Sequence, residues 1–152
     1  MTATKRLLEL GLVIPEVTKP VASYVPSTIS GNLVFTAGQL PFFDGKMPAT
    51  GKVGAEVDAA DAAMMARTAV LNALAAVETS IGSIDRITKI VKLVVFVASE
   101  PGFSGQPAVA NGASDTLVEI FGEIGRHARS AVGVAVLPLD APVELELIVE
   151  FA

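Results

Sequence analysis

Cysteine is absent from the 152 residues. That excludes disulfides, thiolate metal sites and a cysteine nucleophile, and it suits a reducing cytoplasm. Charge is sparse too: 18% of residues are charged, and the 11 Lys and Arg are scattered rather than gathered into a stripe. With a net charge of −5 and a pI of about 4.8, the chain lacks the basic footprint through which nucleic-acid binders neutralise phosphate. A nucleic-acid partner is therefore disfavoured, with room only for a local patch. The phosphate-cradling glycine patterns GxGxxG and the P-loop are missing. One histidine is present, His127, with no recognisable Ser-His-Asp spacing around it. The start, MTATKRLLELGLVIPE, has only a short apolar stretch interrupted by Glu9, so no secretory leader is expected. No run reads as long and charge-free enough to cross a membrane.

Apolar residues are abundant: 51% are hydrophobic and the mean hydropathy is +0.58. The length suits one domain, residues 1–152. A domain this small exposes much surface for its volume and needs polar skin. A chain this apolar is expected to bury some surface against copies of itself. An Ala- and Val-rich monomer is the alternative.

Periodicity and turn residues give the order (α)ββ–α–β–α–ββ. Residues 2–11 read as a short amphipathic helix stopped by Gly11. Ser23–Ser30 and Leu33–Thr36 read as strands around the hairpin signal Gly31-Asn32. Gln39–Gly54 is a long Gly- and Pro-rich loop with a tight turn at Asp44-Gly45. Asp58–Ile81 is the strongest helix, capped by Asp58 or Asp61 and ended by Gly82. Ile84–Ala98 contains IVKLVVFVA, a run that suggests a strand buried on both faces. Ala108–Gly122 reads as a second helix. Arg129–Leu137 and Val143–Phe151 read as strands joined by the Pro138–Pro142 turn. Such an order implies an α+β fold, a mixed sheet with two main helices on one face.

Few residues can carry chemistry. Arg129 stands where the charged loop GRHAR becomes the apolar strand SAVGVAVLP. Its forked donors match a carboxylate, although a strand-end arginine by spacing alone reads as a surface ion-pair partner. Glu144 and Glu146 alternate with apolar residues on the last strand. They read as a solvated face, or one of them as a base holding a water. Gly38 could let backbone approach a ligand, and Tyr24, the only tyrosine, could orient one; both also read as ordinary loop and strand residues. His127 reads as a loop residue before a strand.

Four segments in order resemble the RidA/YjgF (Rid) family: GNLVFTAGQLP, IVKLVVFVAS, ARSAVGVAVLP and VELELIVEFA. The resemblance runs from about Val21 to the C-terminus. The stretches GQLPFFDGKMPATGKVGAEV and NGASDTLVEIFGEIGRHARSAVG resemble a branch labelled as YjgF-type endoribonucleases. The family implies a chorismate-mutase-like fold and a homotrimer whose sheets form a central barrel, with clefts between subunits. It implies hydrolytic deamination of carboxylate-bearing enamines and imines, such as 2-aminoacrylate, to 2-keto acids and ammonia, with no cofactor and no metal. It implies that Arg129 grips the carboxylate, that Glu144 positions the attacking water, and that Tyr24, Gly38 and Asn111 line the site. The chain departs from the family in having Ala131 where a cysteine is often found. A shorter stretch precedes Arg129, and the N-terminal helix and the Gln39–Gly54 loop look extra or altered.

Imine hydrolysis needs no strong nucleophile, so one arginine and one glutamate suffice if they are well placed. If the last two strands form a regular hairpin, Arg129 lies opposite about Phe151. Glu144 is then about seven residues away, roughly 20 Å at about 3.4 Å per residue. The two should therefore meet only across a subunit interface, or after a strong bulge. Two other readings compete. One is a non-catalytic module for small carboxylates. The other is an RNA-cleaving protein, which requires a contiguous basic patch from Arg67, Arg86, Arg126 and Arg129.

Overall fold

The computed structural model describes residues 1–17 and 22–152. Val21, where the family resemblance begins, lies outside the described residues.

Helix α1 (Ala3–Leu10) starts at Thr2, whose hydroxyl accepts from Lys5 N, and stops at Gly11, which is left-handed at φ 66°. Helix α2 (Ala59–Ile81) is capped by Asp58, whose carboxylate accepts from Asp61 N at 2.7 Å. Asp61 sits in the first turn, where its charge suits the helix dipole. Gly82 ends the helix. Ser83 then caps a short 3-10 turn, Ile84–Arg86, so strand β3 (Ile87–Ala98) begins three residues later than its apolar run. Strands β1 (Ser27–Ser30) and β2 (Leu33–Thr36) form the expected hairpin, with Gly31 at φ 61°. The first strand is shorter than expected, because Ser23–Pro26 pair with no strand. Asp44 and Gly45 take φ 49° and 74° between the bridged Phe43 and Lys46, the tight turn expected there.

Helix α3 (Gln106–Phe121) carries the chain from β3 to β4 (Ala128–Val134), and the two strands pair in parallel. Strand β5 (Val143–Phe151) lies between β2 and β3, so the sheet order is β1-β2-β5-β3-β4. The expected hairpin of the last two strands does not form. Both edges of β5 are taken, by β2 and β3, and the helical crossover makes β3 and β4 neighbours. The turn after β4 passes over the end of β3. There Ser99 N donates to Val134 O and Ala98 N to Pro142 O, each at 3.0 Å. Leu139 and Asp140 take φ 58° and 57° in this turn.

Alternation along the strands separates two faces. Val34, Ile90, Leu93, Val95, Val97, Leu145, Leu147 and Val149 point to the helices and are fully buried. The facing stripe of α2 is small: Ala66, Ala69, Val70, Ala73, Leu74 and Val77 are fully buried. Gly112 has no room for a side chain, because a Cβ there would overlap the Ala63 carbonyl, so α3 lies backbone to backbone on α2. Contrary to expectation, α2 is long and apolar enough to span a membrane by length and composition, but 56% of its most apolar window is buried within the fold.

The other face is different. Phe96 and Val134 pack there on a small cluster of Ala98, Leu137 and Ala141. Elsewhere Leu33, Phe35, Val94 and Ile148 are half-buried and Val132 is 45% exposed, with no described helix over them. Among the described residues, helices thus cover only one face of strand β3.

Candidate functional site

Arg129 is the second residue of β4, an edge strand. It pairs with Leu93, which pairs with Leu147, and both of these face the helices. Lateral neighbours in a sheet share a face, so Arg129 also turns to the helix side. There its Nη1 donates to Asn111 Oδ1 at 2.8 Å and to Ser114 Oγ at 3.2 Å. Asn111 and Ser114 are three residues apart on α3 and so share one side of it. The close approach at Gly112 aims that side away from α2 and toward β4. No carboxylate lies within ion-pair distance of the half-buried Arg129 among the described residues.

Ser114 Oγ is also 2.9 Å from His127 Nε2, and His127 Nδ1 is 2.6 Å from Gly125 O. His127 therefore belongs to the arginine's surroundings rather than to a bare loop. Neither Ser114 nor His127 is singled out by sequence spacing. The usable signal was that His127 lies two residues from Arg129, the same spacing by which strand residues share a face.

Glu144 begins the other half. It pairs with Phe96 on the open face. Burial raises its carboxyl above the ordinary value of 4.5, and the neighbouring charge of Glu146 raises it further. Between Thr36 and Gln39 the β2 chain bulges against β5: Thr36 Oγ1 accepts from Leu147 N, whereas Gln39 already exchanges hydrogen bonds with Leu145. Gly38 sits in that bulge, and a Cβ there would overlap Glu144 Oε1. The glycine thus makes room for the glutamate's carboxylate. Tyr24 is 59% exposed and lines an open groove of about 410 Å³ with Thr28, Phe35 and Ala37.

Within one chain the two halves do not meet. Arg129 and Glu144 are two strands and three residues apart, roughly 14 Å at ordinary sheet spacings, and they lie on opposite faces. The hairpin distance of roughly 20 Å expected from sequence is replaced by this geometry. The arrangement brings Asn111 to Arg129 and Gly38 to Glu144. Tyr24 lines the groove that ends at Ala37, next to Gly38.

The remaining arginines are engaged one by one. Arg67 lies 3.7 Å from Glu119, and Arg126 lies 3.1 Å from Glu123. Arg86 donates to Ala152 O and Ile81 O and lies over the Phe151 ring. Among the described residues none of these contacts joins them to Arg129.

The family described as "YjgF/chorismate_mutase-like, putative endoribonuclease" matches residues 4–151. The match includes most of α1, which therefore is not an addition to the family. Protein TCP17 of Trypanosoma cruzi is 42% identical over 95% of this chain and 91% of its own. A protein of Escherichia coli K12 named 2-iminobutanoate/2-iminopropanoate deaminase is 35% identical over 84% of this chain and 87% of its own. The crystal structure of "a putative endoribonuclease" from Shewanella oneidensis MR-1 superposes with a TM-score of 0.95 at 34% identity, covering 99% of this chain and 100% of that one.

Proposed function

Because this chain belongs to the YjgF/chorismate-mutase-like family, we propose that it hydrolyses carboxylate-bearing enamines and imines of the 2-aminoacrylate type to 2-keto acids and ammonia, in sites shared between copies of a homotrimer. The observation that carries this reading is Arg129: a half-buried guanidinium held in place by two neutral oxygens, with no carboxylate within ion-pair distance among the described residues. An arginine arranged this way offers its fork to an anion from outside. The name of the deaminase relative supports the choice of anion.

In the proposed reaction Arg129 grips the substrate carboxylate and fixes the position of the C=N carbon, which an enamine presents once its terminal carbon has taken a proton from solvent. Glu144 of a neighbouring copy accepts a proton from a water as the water's oxygen bonds to that carbon. The nitrogen gains a proton, the C–N bond breaks, and ammonia leaves as the carbonyl forms. A carboxyl raised by burial is better matched to this role than an ordinary one, since a base works best with its pKa near the working pH. Gly38 leaves the space that the Glu144 carboxylate needs. The open apolar face supplies the contact between copies, and the lack of cysteine suits a cytoplasmic setting. An endoribonuclease reading has the wording of the family description behind it, but Arg67 and Arg126, two of the arginines it needs, lie against glutamates.

The test is release of ammonia and keto acid from freshly generated 2-aminoacrylate. Arg129→Ala should lose about 2–5 kcal/mol of transition-state binding, a drop of at least about thirtyfold in kcat/KM. Equal rates for wild type and Arg129→Ala would reject the proposal.

A further inference from the structure

We infer that Ser114 and His127 are positioning residues for Arg129, forming a neutral, one-directional hydrogen-bond relay that orients the guanidinium without neutralising it. The inference rests on the carboxylate-gripping role proposed for Arg129 and deepens it.

Direction in the relay follows from its far end. Gly125 O is a carbonyl and can only accept, so His127 Nδ1, 2.6 Å away, carries the proton. In the neutral imidazole Nε2 then holds a lone pair. With the imidazole neutral, as the relay requires, Ser114 Oγ, 2.9 Å from Nε2, donates its single proton there. Toward Arg129 the hydroxyl can then only accept, which is what a guanidinium requires at 3.2 Å. Asn111 Oδ1 accepts from the same Nη1 at 2.8 Å. Every bond runs one way: Arg129 to Ser114 to His127 to Gly125.

The anchor of the relay is fixed. Gly125 is buried, and a Cβ there would crowd the Leu117 carbonyl, so the turn is packed on α3. The contrast with other arginines explains what the relay achieves. Arg67 and Arg126 lie against glutamates, which compensate their charge. Neutral oxygens hold Arg129 just as firmly in direction, yet leave its positive charge for an incoming carboxylate. Without the relay, Asn111 alone would hold a long and flexible side chain.

The chain's single histidine makes the test unambiguous. Imidazole 15N spectra of the whole protein, recorded with the ring neutral, should show the proton on Nδ1 and none on Nε2. Adding pyruvate should shift the Nε2 signal in wild type but not in Arg129→Ala. Calorimetry with pyruvate should show Kd raised about tenfold in Ser114→Ala. The KM for 2-aminoacrylate should rise equally, with kcat changed by less than about twofold. His127→Gln keeps an acceptor near the place of Nε2 and should stay near wild type, whereas His127→Asn, with no group reaching that place, should resemble Ser114→Ala. A protonated Nε2, or a pyruvate Kd unchanged in Ser114→Ala while Arg129→Ala loses binding, overturns the relay and leaves the gripping role standing. Pyruvate binding unchanged in Arg129→Ala overturns both.

Discussion

The two faces of the sheet use the same residue types and end differently. On the helix side, Leu93, Val95 and Leu147 vanish under α2 and α3. Arg129 at the edge of that face finds partners on α3 within its own chain. On the open side, Val94, Ile148 and Val132 alternate with those core residues yet stay half-buried or exposed. Glu144 there has a space cleared for it by Gly38 but no cationic partner within ion-pair distance among the described residues. One face is finished by folding. The other is left as an apolar surface with a perturbed carboxyl on it, the form expected of a face finished by association.

Substituting matched residues on the two faces should break this contrast most sharply. Val94→Asp puts a charge on the open face. It should leave a folded chain that sediments as a monomer and has lost deaminase activity. A trimer with full activity would show that the open face is not the contact. Its neighbour Leu93→Ala should instead cost about 2–5 kcal/mol of stability while the copies stay associated. Denaturation at matched protein concentration checks it, and an unchanged midpoint would count against a helix face packed as tightly as described.

A smaller effect is expected at the bulge. Gly38→Ala must push the Glu144 carboxylate aside, since the new Cβ would occupy the place of Oε1. Misplacement on this scale should lower kcat about 10- to 100-fold. KM and thermal stability should move little. A kcat unchanged in Gly38→Ala would detach Glu144 from the chemistry.

The smallest effect is in pH dependence. Glu144 is raised first by burial and then by Glu146. In the proposed role of general base Glu144 must be ionised, so activity should fall as pH drops through that raised value. Glu146→Gln removes the like charge and should move the acid limb of kcat to lower pH without abolishing it. A limb displaced to higher pH would contradict the sign.

Much of this was legible in the chain. Gly11, Gly31 and Gly82 mark ends and turns because each adopts a positive φ that side chains avoid. The alternation of VELELIVEF already placed Glu144 and Glu146 opposite Leu145 and Leu147. Pairing order was not legible, since period-two alternation reports which face a residue takes and not which strand lies beside it. That is why β4 and β5 read as a hairpin although β3 separates them. The direction of Arg129 was hidden as well. SAVGVAV is apolar on both faces of its strand, so nothing in it marks the helix side. Ser114 and His127 stand thirteen residues apart, and only the return of α3 along β4 joins them.

The central claim is that the arginine half and the glutamate half come from different copies. It is tested most directly by mixing Arg129→Ala and Glu144→Gln subunits, each expected to be nearly inactive alone. If each site takes Arg129 from one copy and Glu144 from the next, randomly mixed oligomers at equal ratio should recover about a quarter of wild-type deaminase activity. No recovery, from subunits shown by mass to have mixed, would contradict the shared site.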